Sequence, residues 1–241
     1  MFFFIKLRLS IKEVINYIKG NKRIEPDELN PCKHLINVEN GMYDFTNEKL
    51  LEHSTEYLST TRIPVKYDLG ADHSIITDWL ESILPHDAMK LILELFGYCL
   101  IPDCTFETAF MLLGSGANGK STLLTVLENF IGNDNVSKIP LQELSDNRFK
   151  RADLLGKLVN LFADLDNRDM QSTSYFKAIV SGDTIDAERK HQDAFYFKPF
   201  ARLVFSANEI PSSFDNSAAF YRRWRIVKFP YQFTGKNAKK G

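Results

Sequence analysis

Apolar positions along the chain change their period twice. Near the front, Ile11, Val14, Ile15 and Ile18 share one helical face behind Ser10 and Glu13, which are spaced as a capping box, and Gly20 can end the helix. From Leu35 to Tyr67 the pattern becomes short strand-like runs broken by turn residues, among them Asn40-Gly41. His73 to Leu84 and Asp87 to Leu95 return to helical spacing on either side of Pro85, and Gly97 and Pro102 close this part. From about Thr105 the apolar runs are short and bulky, as in strands buried on both faces: Phe106 to Leu113, Leu158 to Ala163, Arg202 to Ser206 and Trp224 to Phe229. Helical stretches at Lys120 to Ile131 and Ser174 to Ser181 separate some of them. This alternation predicts an α/β fold with a central, largely parallel sheet flanked by helices. The expected division is a small α+β domain over residues 1–104, followed by the sheet domain over 105–241.

The boundary between the first bulky run and the first helix of the second part carries the clearest chemistry. Gly114-Ser115-Gly116-Ala117-Asn118-Gly119-Lys120-Ser121 is a complete G-x-x-x-x-G-K-S loop between the strand-like Phe110-Met111-Leu112-Leu113 and the helical Thr122 to Leu127. Glycines let the backbone curl so that several N–H groups point at one phosphate, and the helix N-terminus adds a favourable dipole. Lys120 brings a positive charge to the β- and γ-phosphates, and the Ser121 hydroxyl can ligate Mg²⁺. A glycine-rich turn before an ordinary helix would need neither the Lys-Ser pair nor these flanks. The reading is a nucleoside triphosphate site formed by residues 114–122, Thr122 included, with ATP and Mg²⁺ as its cofactors.

Composition narrows the setting. At 241 residues, 44% apolar and 25% charged, the chain has ample material for a core and the profile of a soluble globular protein. A net charge of −1 means that any nucleic-acid contact must come from a local patch. No apolar stretch approaches a membrane span, and Met1 to Ile5 is too short for a signal-peptide core. Those five residues read as a truncated strand or the remnant of an unusual start. The cysteines Cys32, Cys99 and Cys104 cannot make a disulfide framework, have no His pair at zinc-ligand spacing and read as buried thiols in a reducing cytoplasm.

A phosphate loop needs partners. A carboxylate at the end of a neighbouring strand must hold Mg²⁺, and Leu158 to Ala163 ends in Asp164. Asp166, two residues on, reads either as the group that polarises water or as a solvated turn residue. Ala201 to Ala207 is a β-rich run that ends in Asn208. An Asn at that tip, beside the loop, can hydrogen-bond the γ-phosphate or the attacking water; its plainer reading is a turn former ahead of Pro211. Arg222 and Arg223 precede Trp224. They are surface charge, packing partners for the indole, or, in an oligomer, the source of a finger to the neighbouring subunit's γ-phosphate.

With these elements in order, the chain resembles the helicase part of the phage and plasmid primase family, which includes the poxvirus primase-helicases and belongs to helicase superfamily 3. The resemblance rests on Asn118-Gly119-Lys120-Ser121, on Ser181-Gly182-Asp183-Thr184-Ile185-Asp186-Ala187-Glu188-Arg189-Lys190-His191, on Phe205 to Pro211, and on Asp215-Asn216-Ser217 through Trp224. Leu35 to Gly41 and Tyr57 to Val65 resemble the small domain that precedes the helicase, so the likeness runs over residues 30 to 232. It implies an AAA+-type ATPase assembled as a homo-oligomeric ring, commonly a hexamer, with nucleotide sites between subunits and single-stranded or forked DNA in a central pore, tracked 3′ to 5′. It also implies DNA contact by Lys190 and His191, with Arg189 beside them. Strand character on both sides of His191-Gln192-Asp193 agrees with a hairpin there, although by itself the segment reads as a solvated charged turn.

The sequence departs from the family at three places. It has no room for a polymerising primase domain, so a separate primase is one candidate partner, whose presence the sequence leaves open. Its carboxylates are Asp164-Leu165-Asp166 rather than an adjacent acidic pair. The chain stops soon after Phe229-Pro230, before the usual further helices, so a shortened helicase domain with a polar, frayed ending is expected. The expected function is an ATP-dependent DNA helicase acting in replication of a virus, plasmid or integrated element. The alternative is a degenerate nucleotide- and DNA-binding assembly module with little motor activity. A small-molecule kinase fits less well, because it has no use for the Ser206-Ala207-Asn208 strand end or for Arg222-Arg223.

Overall fold

The computed structural model describes residues 13, 24, 28–165, 170, 172–210 and 215–234. Apart from Glu13, the expected helix behind Ser10 lies outside these residues, as do Asp166, Pro211 and the polar ending from residue 235.

In chain order the elements are β1 (Leu35–Val38), β2 (Gly41–Asp44), β3 (Lys49–Leu51), α1 (Ser74–Ile83), α2 (His86–Tyr98), β4 (Ala109–Leu113), α3 (Lys120–Ile131) and β5 (Val136–Ser137). They continue with α4 (Leu141–Asp146), α5 (Arg148–Arg151), β6 (Val159–Phe162), α6 (Ser174–Ser181), β7 (Ile185–Ala187), β8 (Phe195–Phe197), β9 (Arg202–Ala207), α7 (Ala218–Tyr221) and β10 (Trp224–Lys228). β1, β2 and β3 form an antiparallel meander in which Val38 pairs with Gly41, leaving a two-residue turn at Glu39-Asn40. β7 and β8 form a separate antiparallel hairpin.

The mixed α/β fold is organised by a five-stranded, all-parallel sheet in the order β10-β4-β9-β6-β5. β4 and β9 lie inside the sheet and are buried along most or all of their length, as their unbroken apolar runs require. β10 is different. It is an edge strand, and of its five residues only Val227 is buried, so the expectation of burial on both faces fails there. The two-residue β5, too short to leave a periodic signal, forms the other edge.

Each face of the sheet carries its own apolar cluster. On one face, Leu123, Leu127 and Ile131 repeat every four residues along α3 and meet Phe110, Leu112 and Val204. Full burial of each such side chain contributes roughly 1.5–3 kcal/mol. The same cluster takes in Ile36, Val38 and Ile63 near the small sheet, together with Leu80 and Ile83 of α1 and Ile92 and Leu95 of α2. On the other face, Met111, Leu203 and Phe205 pack with Leu141 and Leu144 of α4 and with Phe176 and Ile179 of α6. Arg202 starts β9 yet is only 1% exposed. Its guanidinium sits 3.6 Å from the Tyr98 ring centroid and donates to the carbonyls of Ile101 (2.8 Å) and Phe200 (2.9 Å). Among the described residues no helix is long and apolar enough to cross a membrane.

Candidate nucleotide site

The glycine loop leaves β4 and turns into α3. Gly119, immediately before the helix, has φ +90°, and a Cβ there would also press on Ile83 at 3.3 Å. A Cβ at Gly114 would collide with the Asn118 side chain and stand 2.7 Å from the Phe229 carbonyl oxygen. Both glycines are therefore demanded by local geometry. The twelve-residue α3 directs its N-terminus at the loop.

Lys120 is buried although charged, because its ammonium folds back onto the loop. It donates to the Gly114 carbonyl and to Asn118 Oδ1, the latter at 3.1 Å. Burial lowers its pKa, and the carboxylate of Asp164 partly offsets that shift. Asn118 is buried too, and its Nδ2 has no hydrogen-bond partner among the described residues. A buried amide donor beside a curled loop and a helix N-terminus is the arrangement that phosphate oxygens satisfy. The residues present thus fit a bound triphosphate, with Ser121 exposed on the first turn of α3 as a candidate metal ligand.

The other expected partners lie at the same end of the sheet, and β9 brings them there. Gly114 N–H donates to the Ala207 carbonyl at 3.2 Å, and Leu165 N–H donates to the Ser206 carbonyl at 3.0 Å. Asp164, exposed and with φ +56°, turns out of β6 just before that second bond, and Asn208, also exposed, follows Ala207 directly. The Asp164 strand is not adjacent to the loop strand: β9 lies between β4 and β6. The expectation of an acidic neighbouring strand is corrected in this respect, and Asn208 occupies the intervening position.

The two arginines separate. Arg223 is buried, donating from Nη1 to the Ala219 carbonyl (2.6 Å) and from Nη2 to Ser181 Oγ (2.7 Å) and Glu107 Oε2 (3.1 Å). Arg222 has a side chain 67% exposed and touches the same Glu107 carboxylate at 3.7 Å.

Arg189, Lys190 and His191 project at the tip of the β7–β8 hairpin, all exposed. The tip turns through a bond from Gln192 N–H to the Arg189 carbonyl (3.0 Å), with His191 at φ +62°. The paired strands are shorter than the sequence pattern suggests, stopping at Ala187 and starting again at Phe195. The hairpin is held at its base. Asp186 accepts from Tyr175 Oη and from Arg151 Nη2, and Arg148 pairs with Glu188 at 2.9 Å.

Two family models match. One, "D5 N terminal like", covers residues 8–85, and the other, "Family of unknown function (DUF5906)", covers residues 112–223. Protein L207/L206 of Acanthamoeba polyphaga mimivirus, which carries a provisional helicase name, is 27% identical over 217 residues, covering 85% of this chain and 22% of the relative. Protein 184R of Invertebrate iridescent virus 6, similarly named, is 24% identical over 250 residues, covering 94% and 25%. The apo C-terminal region of NrS-1 superposes with a TM-score of 0.56 at 18% identity, covering 91% of this chain and 52% of that one. Together these matches support a likeness to phage and viral primase-helicases. It spans about a quarter of the length of these curated relatives.

Several residues around the site leave no signal of their contacts in the sequence. Glu107 (φ +45°), Ser181, Gln232 and Phe233 are ordinary in their local context and matter only through partners far along the chain. Gln232 Nε2 donates to Ser115 Oγ at 2.8 Å and to the Ser115 carbonyl at 3.4 Å, and Phe233 N–H donates to the Ala117 carbonyl at 2.7 Å.

Proposed function

We propose that the chain is the ATP-hydrolysing part of a DNA helicase acting in viral DNA replication. The observation that carries this reading is the anchoring of Gly114 and Leu165 on consecutive carbonyls at the end of β9. That anchoring draws Lys120, Asp164 and Asn208 to one end of the parallel sheet. The helicase names of the viral relatives support it.

Bound Mg-ATP supplies the phosphoanhydride whose hydrolysis drives movement. The loop amides from Ala117 to Thr122 and the Asn118 side-chain amide would donate to phosphate oxygens, Gly114 and Gly116 would shape the loop around them, and Lys120 would reach the β- and γ-phosphates. The Ser121 hydroxyl and Asp164 carboxylate would hold Mg²⁺, and Asn208 would sense the γ-phosphate. Asp166 remains a candidate for orienting water. Arg222, the exposed member of its pair, is the residue offered to a neighbouring subunit's nucleotide in a ring, and Arg223 holds the turn that presents it. At the hairpin tip Arg189, Lys190 and His191 track DNA phosphates without reading bases. The division into a small domain up to residue 104 and an ATPase domain from 105 belongs to the same reading.

The test is ATP hydrolysis by the full chain, resolved by size, with and without single-stranded DNA. Lys120→Ala is expected to reduce turnover by roughly 10²-fold or more. Full turnover in that variant would overturn the assignment. A permanent monomer without DNA stimulation would leave a nucleotide-binding assembly module in its place.

A further inference from the structure

The chain crosses the glycine loop a second time, from a segment more than a hundred residues away. After β10, Phe229 N–H donates to the Leu113 carbonyl at 2.8 Å, and the Phe229 backbone closes over Gly114. Gln232 then caps Ser115 through its hydroxyl and carbonyl, and Phe233 N–H takes the Ala117 carbonyl. The side chain of Phe233 is half-buried against the cluster that includes α3. Residues 229–233 are therefore bonded to the loop at its start and across its crest.

We propose that this strap is part of the nucleotide site and that Gln232 and Phe233 are positioning residues for triphosphate binding. The inference rests on the reading of residues 114–122 as a phosphate loop. The reason lies in peptide geometry. In a trans peptide the carbonyl of one residue and the N–H of the next point in opposite directions, and the described residues contain no cis peptide bond. Once the Ala117 carbonyl is directed at the Phe233 N–H, the Asn118 N–H must face the opposite side, toward the hollow of the loop. Ala117 is also held at φ +46°, a region that an alanine leaves readily unless something fixes it. The Phe233 N–H fixes it from outside. Gln232 does the same at Ser115, where φ freedom on either side, at Gly114 and Gly116, would otherwise let the crest rotate. The strap thus keeps phosphate-facing donors oriented before a ligand arrives, and this preorganisation appears as affinity.

The experiment is equilibrium binding of a fluorescent ATP analogue with Mg²⁺ to the full chain, alongside thermal unfolding of each variant without ligand. Gln232→Ala and Ser115→Ala should each weaken binding by about three- to tenfold, the range expected for losing one neutral hydrogen bond. The double variant should be no weaker than Gln232→Ala alone, because that variant already removes the bond to the Ser115 hydroxyl together with the one to the Ser115 carbonyl. Phe233→Pro, which deletes the N–H, should weaken binding more than Phe233→Ala, which keeps it, when the two are equally stable to heat. If Phe233→Pro does not fold, the Gln232–Ser115 cycle decides. Wild-type affinity in Gln232→Ala, or additive losses in the double variant, would overturn the strap's role while leaving the phosphate loop standing. No binding by the wild-type chain would overturn both readings.

Discussion

Arg223 and Glu107 lie 116 positions apart and meet at 3.1 Å, while the neighbouring Arg222, its side chain 67% exposed, reaches the same carboxylate at 3.7 Å. With Ser181 Oγ and the Ala219 carbonyl also on its guanidinium, Arg223 ties the end of α6, the approach to β4 and the turn before β10 into one joint. Arg222 touches that joint at the Glu107 carboxylate while its side chain stays exposed.

Arg223→Ala should therefore destabilise the fold by about 1–3 kcal/mol, from the lost hydrogen bonds and the stranded Ser181 hydroxyl. Glu107 is half exposed and can be rehydrated, which keeps the cost below that of a fully buried pair. Arg222→Ala should change stability by no more than about 0.5 kcal/mol and yet abolish most ATP hydrolysis. Urea unfolding and steady-state turnover on the same preparations check the pair. Equal effects on both measures would remove the distinction.

At the hairpin, Lys190→Ala should weaken single-stranded DNA binding almost equally for all sequences and flatten the dependence of log K on log salt by about 0.7, one phosphate contact on a single strand. Titrations at several salt concentrations measure the slope. An unchanged slope would remove Lys190 from the DNA interface.

Asp186 makes stability depend on pH in a defined direction. The Tyr175 hydroxyl, and after it Arg151, hold its carboxyl below the ordinary carboxylate value. With a folded pKa lower than the unfolded one, its contribution is complete above the unfolded value of about 3.9 and is lost as pH falls through the folded value. Asp186→Asn should accordingly melt below wild type at pH 7, with a gap that closes below about pH 4. Thermal scans across that range test it, and a gap that widens in acid would contradict the assignment.

Thiol chemistry offers a check on the core. Cys99 is fully buried at the end of α2, and burial pushes its pKa up to about 12, with Arg202 opposing the shift. Cys32 and Cys104 are half-buried, so the expectation of three buried thiols holds only for Cys99. Mild alkylation of the native chain at pH 8 should leave Cys99 unmodified until denaturant is added, as peptide mass mapping would reveal.

Local information carried much of this architecture. The glycine loop, α3 and α6, and the parallel strands β4, β6, β9 and β10 are legible because periodicity, glycine placement and strand-to-helix order are properties of neighbouring residues. The helices α1 and α2 are legible for the same reason. The short elements β5, α4 and α5 are not, since two to six residues hold too little of any period.

What the sequence by itself determined is that a G-x-x-x-x-G-K-S loop opens a helix, that acidic and amide-tipped strands follow it, and that a basic turn sits between them. Tertiary structure alone decided that β9 separates β4 from β6, that Arg223 is enclosed while Arg222 is exposed, that Arg202 lies under the Tyr98 ring, and that residues 229–233 cross the loop. The physical reason is the same in each case. These features depend on hydrogen bonds and burial between segments up to 117 positions apart, and such contacts leave no trace in the residues on either side.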